Sequence, residues 1–422
     1  MPLGIRRSRP NPAITRPAAG TRSGPLSALW QHRDFRLLWL ATIPSQLGQG
    51  MQQVALGWLV LELTGSGGMV GAIFAARSAP NLVVGLVAGS VTDRLDRRLL
   101  LRVSLAGMAA IASVVALLLF LDRLEVWHLM VFTFALGTLN AFETAARQVY
   151  VYDLVGGGEA VKGIAVVSLA QRTGGVIGAL AAGGLLEWRG PGVSFLTMSV
   201  GYVLSAGALV WLRHAGAAAP LAREPMLQNI QHYFQALRSN RTMLTLMIST
   251  AAVEILGFSH QALLPVLALE VLHVGAGGLG VLTACRFLGG ALGSAALTFA
   301  GAVRRRGWLL LGSVAAFGVA QVLLSQSPNF PVALALVTVV NIAASATDVL
   351  HQALFQLAVT NEQRGRAMGS WIVGIGTAPL GHLEAGYLGE LTSLRLALVA
   401  NGLALLGVGG IMAVLMPRLR RM

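Results

Sequence analysis

The chain reads as long apolar runs separated by short polar breaks, recurring from one end to the other. Each run, as a helix of about 20 residues, is long enough to cross the ~30 Å hydrocarbon core of a bilayer. Twelve spans are predicted, at 37–63, 68–91, 99–121, 127–150, 163–187, 192–212, 242–269, 276–301, 308–326, 331–357, 367–389 and 395–416. The fold class is therefore all-α integral membrane. Composition agrees: 11% of residues are charged, against roughly 25% in a soluble domain, and mean hydropathy is +0.69. No soluble stretch is large enough for a separate chemistry.

A net charge of +14 raises the question of nucleic acid, and its distribution answers it. With the N-terminus in the cytoplasm, 25 of the 31 Lys and Arg fall on the cytoplasmic side. Arg123, Arg189 and Arg395 fall on the far side, and Arg77, Arg172 and Arg286 inside spans. This is the positive-inside bias. The basic balance reflects topology, with anionic lipid headgroups as neighbours and no nucleic acid. A cell-membrane location with both termini cytoplasmic follows. Residues 1–25 are rich in Pro and Arg and lack an apolar core, so they read as a disordered tail rather than a cleaved signal. Cys285 is the single cysteine and has no partner for a disulfide or metal site.

The spans repeat. Val70–Arg77 (VGAIFAAR) aligns with Leu279–Arg286 (LGVLTACR), so that Gly71 matches Gly280 and Arg77 matches Arg286. Gly178–Glu187 aligns with Gly381–Glu390, matching Gly183 to Gly386 and Glu187 to Glu390. Two six-helix halves are implied. The expected organisation is a tail at 1–36, bundles at 37–212 and 242–416, a cytoplasmic linker at 213–241 and a tail at 417–422. Within the linker, Leu227, Ile230, Phe234 and Leu237 form an apolar stripe at helical spacing, read either as a surface-lying helix or as a plain connector.

The connection between spans two and three, "GSVTDRLDRR", carries Gly89, Asp93, Arg94, Arg97 and Arg98. The corresponding second-half segment, "GAVRRRGW", keeps arginines and loses the aspartates. This spacing resembles the G-x-x-x-D-R-x-x-R-R signature of the major facilitator superfamily. "WLVLELTGSGGMVG" and "EQRGRAMGS" resemble its branch of enterobactin exporters and macrolide-efflux proteins. The resemblance implies alternating-access transport, with export as its direction. Asp93 then sits where it can accept hydrogen bonds from a helix N-terminus of the other half, making the loop a conformational gate. The alternative is that Arg97 and Arg98 only anchor topology. Span five reads "GGVIGALAAGGL", with Ala179 where antiporters of the superfamily carry a proline.

Ionisable groups inside spans are rare and each requires a reason. Glu143 and Arg147 are i,i+4 with the acid first, the favourable order, and are assigned to the gate; pairing for packing is the alternative. Glu254 lies roughly 18 Å along span seven, near midplane, with no basic residue one turn away. It is the leading candidate for proton coupling, ahead of Asp348 and Glu384; pairing with an arginine of another span would keep it charged. Asp348 and His351 share a turn, and His351 reads as a satisfied buried histidine. His382 is a further ionisable group at depth. Gln46, Gln49 and Gln53 fall on one face of span one, as cavity lining or as helix–helix hydrogen bonds. With Arg77, Asn140, Arg172, Gln261, Arg286 and Asn341 they form the candidate substrate cavity.

The chain has no GxxxxGK[ST] phosphate loop, no HExxH and no GxSxG, which argues against an enzyme and against an ATP-driven pump. The expectation is a monomeric secondary exporter of a small amphipathic organic compound, proton-coupled, with no cofactor or metal. The competing expectations are a flippase for lysophospholipid-like amphiphiles and a non-transporting receptor or scaffold.

Overall fold

A helix satisfies its own backbone hydrogen bonds, which is what a chain this apolar needs in lipid. The computed structural model describes residues 27–92, 95–156, 159–213, 237, 240–299, 305–359 and 364–416, and among these there is no strand. After a short α1 (Ser27–Gln31) come α2 (Arg33–Thr64), α3 (Gly67–Thr92), α4 (Arg97–Phe120), α5 (Val126–Val155), α6 (Ala160–Arg189) and α7 (Pro191–Val210). Next are α8 (Arg241–Val271), α9 (Gly275–Phe299), α10 (Arg306–Ser325), α11 (Phe330–Leu357), α12 (Arg364–Ile375), α13 (Ala378–Leu391) and α14 (Leu394–Leu415). Nine of these helices, searched over the described residues, are long and apolar enough to cross a membrane. Helices α2 and α3 and the α12–α13 pair pack into the same bundle.

Local chemistry sets the ends. Asp96, Asn240, Asn329 and Ser393 accept from backbone N–H groups two or three residues ahead, capping α4, α8, α11 and α14. Gly65 closes α2 at φ 62° and passes the chain into α3 within two residues. The linker stripe at Leu227, Ile230 and Phe234 lies outside the described residues; of the four, only Leu237 is described, and it is buried.

Packing repeats between the halves. In the first, α2 lies against α6, α3 against α5 and α4 against α7; in the second, α9 lies against α11, α10 against α14 and α8 against α13. Two seams join them, α3 with α13 and α6 with α9. Small polar pairs knit neighbours within a half, as in Ser113–Ser199 at 2.7 Å and Thr347–Ser313 at 3.0 Å.

Two predicted spans depart from regular helix. The eleventh is broken between α12 and α13 at Gly376–Thr377, just before Pro379, which has no N–H to continue the ladder. The seventh, α8, contains π-helical turns at Glu254–Phe258 and Leu267–Val271. The wider turn frees carbonyls. Leu256 O accepts from Gln321 Nε2 at 3.1 Å, and Gly257 O pairs with His260 Nδ1 at 2.7 Å. Such insertions concentrate at functional sites.

Candidate functional site

The two seams are held by the same device at the bundle end opposite the first described residues. In α3/α13, the Glu390 carboxylate accepts from Gly68 N at 2.6 Å and from Ser66 Oγ at 2.5 Å. In α6/α9, Glu187 accepts from Gly277 N at 2.8 Å. Each carboxylate ends one helix and caps the N-terminus of its neighbour, where the exposed N–H groups and the dipole favour an anion. Gly277 follows Gly68 at the same offset that relates Arg286 to Arg77. One turn deeper the backbones nearly touch. A Cβ on Gly386 would lie 2.8 Å from Gly71 Cα, and one on Gly280 would lie 2.9 Å from Gly183 Cα. Sequence reasoning used Glu187 and Glu390 only as repeat landmarks. Their capping role needs the partner helix, which a single sequence does not reveal.

Below these seams lie the three intramembrane arginines. Arg77 on α3 and Arg286 on α9 each sit about 15 Å along their helices from the capped ends. Arg172 comes from α6. Arg286 donates to Gln53 Oε1 on α2 and lies 4.6 Å over the Phe287 ring. Arg172 Nη2 donates to Ser294 Oγ at 3.0 Å. Arg77 has no hydrogen bond or ion pair to a described residue. All three are partly open rather than sealed in packing. A small pocket lined by Gln53, Phe74, Gln261, Thr283 and Arg286 sits beneath the α3/α9 ends.

The polar residues of α2 divide. Gln49 Nε2 donates to Asn140 Oδ1 at 2.5 Å, tying α2 to α5. Gln53 serves Arg286, whereas Gln46 is buried against Gly174 in the α2–α6 contact. Asn341 is buried, donating to Val337 O at 2.8 Å with His260 Nε2 at 3.4 Å.

The carboxylates sit on other elements. Glu254 opens the first wide turn of α8, is partly open, and makes no ion pair among the described residues. Its electrostatic neighbour is Asp348 of α11, which accepts from Trp371 Nε1 at 3.3 Å. Glu384 accepts from Asn401 Nδ2 at 2.9 Å. His351 does not pair with Asp348: its ring joins Ser249 Oγ at 2.9 Å and Thr347 O at 3.1 Å. His382 Nδ1 meets Ser78 Oγ at 3.2 Å.

At the opposite, arginine-rich end, Asp93 and Arg94 lie outside the described residues, as does the surrounding of Gly89. Arg97 pairs with Asp153 at the end of α5. Arg98 Nη1 donates to Leu212 O at 3.0 Å. Arg102, which the sequence did not single out, donates from Nε and Nη2 to Leu209 O, at 3.0 and 2.6 Å. These cations cap the C-terminal carbonyls of α7, the favourable pole for positive charge. All these contacts stay inside the first half. Glu143 and Arg147 form an ion pair buried within α5, and Arg147 Nη2 also donates to Ser45 Oγ of α2 at 3.0 Å.

The chain is 26% identical over 401 residues to the multidrug efflux pump Tap of Mycolicibacterium fortuitum, covering 92% of this chain and 96% of that one. It is 22% identical over 341 residues to the staphyloferrin A transporter of Staphylococcus aureus, covering 80% and 85%. The nucleoside transporter NupG shares the fold, with a TM-score of 0.75 at 12% identity over 91% of this chain and 99% of that one. The family described as "Transmembrane secretion effector" matches residues 23–422, and the chain belongs to this family of major facilitator transporters.

Proposed function

We propose that this protein is a secondary exporter in the cell membrane, with twelve crossings in two six-helix halves (37–212 and 242–416) and both termini cytoplasmic. In this reading α2, α3 and the broken α12–α13 pair cross the membrane alongside the nine more apolar helices. The observation that carries it is the doubled seam: two helix pairs related by the internal repeat, each capped by a glutamate at the same end, flanking partly open arginines. Two seams closed at one end and able to part there are what alternating access requires. The cargo is a small amphipathic organic compound, consistent with the relatives' printed roles in multidrug efflux and siderophore transport.

Glu254 is the proton carrier in this reading. It is partly open, lies at midspan, has no cationic partner among the described residues, and faces a second carboxylate, Asp348. The test is transport in proteoliposomes with an imposed pH gradient over a compound panel. Glu254→Gln should abolish gradient-driven accumulation and retain exchange at equal pH, because exchange needs no net protonation change. A variant that still concentrates substrate eliminates this assignment. Topology is tested separately: Arg123→Cys and Arg305→Cys should label from opposite sides in a Cys285→Ser background.

A further inference from the structure

Buried cations are costly unless paired, and in spans they are found beside carboxylates or carbonyls. The paired arginines of this protein obey that rule: Arg147 has Glu143 and Arg97 has Asp153. Arg77 and Arg286 do not. No carboxylate among the described residues pairs with either. Among the described residues, the titratable groups in electrostatic reach of Arg77 include Tyr202, His382 and Arg286, and those of Arg286 include Arg77 and Arg172. Every one of these neighbours is cationic or neutral. Tyr202 Oη is itself buried without a hydrogen-bond partner among the described residues. Arg286 thus has both other guanidinium groups in electrostatic reach, the three lying on α3, α6 and α9, three of the four seam helices, and Phe74, one turn before Arg77, lines a small pocket together with Gln53 and Arg286. The carboxylates Glu254 and Asp348 come from α8 and α11, and only Arg172 is in reach of one of them, Asp348.

We propose that the cavity takes its substrate by an oxyanion, a carboxylate or its equivalent, bound between Arg77 and Arg286. This deepens the transport reading and rests on it for the word substrate, not for the site. The guanidinium fork suits a planar carboxylate. Arg77 comes from the first half and Arg286 from the second, so one anion bound to both bridges the halves. The missing counter-charge is then the cargo itself. The like charges around Arg286 repel one another, and a bound anion relieves that repulsion. A purely cationic drug would meet the repulsion undiminished.

The experiment reads binding without transport. Purified, delipidated protein in detergent is melted with increasing malonate at constant ionic strength balanced by chloride. Malonamide serves as the neutral control, and lysophosphatidylglycerol is a separate arm for a lipid-borne oxyanion. Malonate should raise Tm and malonamide should not. Arg77→Gln should weaken the malonate response about tenfold or more, the loss expected for a charge-assisted contact. Arg77→Lys keeps the charge without the fork, so its response should fall between wild type and Arg77→Gln; Arg77 has no described partner to lose, so Arg77→Gln is not expected to misfold, and Arg286→Gln is the second variant. A response to lysophosphatidylglycerol alone, lost in the same variants, keeps the oxyanion site and makes the anion a lipid's. Equal effects of malonate and malonamide, or a wild-type response in both glutamine variants, overturn the proposal. Proteoliposomes separate the two readings. A protein that moves a compound yet fails the melting test loses the anion site and keeps transport. One that passes the test and moves nothing in the panel keeps the site and loses transport.

Discussion

The α3/α13 and α6/α9 seams share a backbone plan and differ in what is attached to it. At the capped end, Glu390 holds two donors, Ser66 Oγ and Gly68 N, whereas Glu187 holds, among the described residues, Gly277 N alone. At mid-depth the difference lies in the arginines. The α3 arginine, Arg77, has no described partner, while the α6/α9 arginines are tied to Ser294 and Gln53. The seams thus differ most at the capped end; at mid-depth each keeps one side-chain contact, Ser78–His382 across α3/α13 and Arg172–Ser294 across α6/α9. Close approach is preserved in both by glycines, because any Cβ there meets backbone, which cannot yield as a flexible side chain does. The repeat therefore conserves the joint, and the polar chemistry has diverged around it.

Breaking the joint should have the largest effect. Gly280→Leu and Gly386→Leu each place a side chain where the facing backbone lies under 3 Å from the first added carbon. Neither can be accommodated without parting the helices. Each variant should lose about tenfold or more of its transport rate and favour the state open at the capped end. A Cys285→Ser, Gln261→Cys background reports this, since Gln261 lines the small pocket beneath that end. Membrane-impermeant maleimide added from the Gly67 side should label it faster in either leucine variant. Unchanged labelling in both would show that the seams do not gate access there.

How much of this was legible in the sequence follows from the range of each cause. Span ends were legible to within a few residues because apolar runs and polar breaks are local; the predicted 127–150, for instance, is Val126–Val155. That Arg77 and Arg286 lie inside long helices was legible because the apolar runs around them are unbroken. The Glu143–Arg147 pair was legible because i,i+4 geometry is local. The π-helical turns were not, because the carbonyls they free are taken up by Gln321 on a different helix as well as by nearby His260. Glu187 and Glu390 sit at span ends, where a charged residue reads as ordinary interface until the neighbouring helix N-terminus is in place. Likewise, the absence of a described partner for Arg77 becomes visible only when its surroundings are assembled.

Removing the carboxylates tests the fastening rather than the joint. Glu390→Gln keeps the size of the side chain and removes its charge, so both donors face a weaker acceptor. Glu187→Gln weakens one. Both sites are solvent-exposed, where such contacts shift a two-state equilibrium by about two- to fivefold. Both variants should increase Gln261→Cys labelling, with Glu390→Gln the larger. The reverse order would mean that the number of donors does not set the strength of each seam.

The smallest change isolates the difference between the seams. Ser66→Ala removes one donor from Glu390 and leaves Gly68 N in place, so the first seam acquires the single-donor arrangement of the second. Ser66 Oγ also accepts from Met69 N at 3.0 Å, so the substitution loosens the first turn of α3 as well. The expected increase in labelling is about twofold or less, below that of Glu390→Gln. A double-mutant cycle separates the two roles of the serine. If Ser66 acts through Glu390, then Ser66→Ala combined with Glu390→Gln should label little faster than Glu390→Gln alone, because the contact is already weakened. If it acts mainly by capping α3, the two effects multiply. Multiplicative effects would place the asymmetry in the helix cap and leave the two glutamates equivalent.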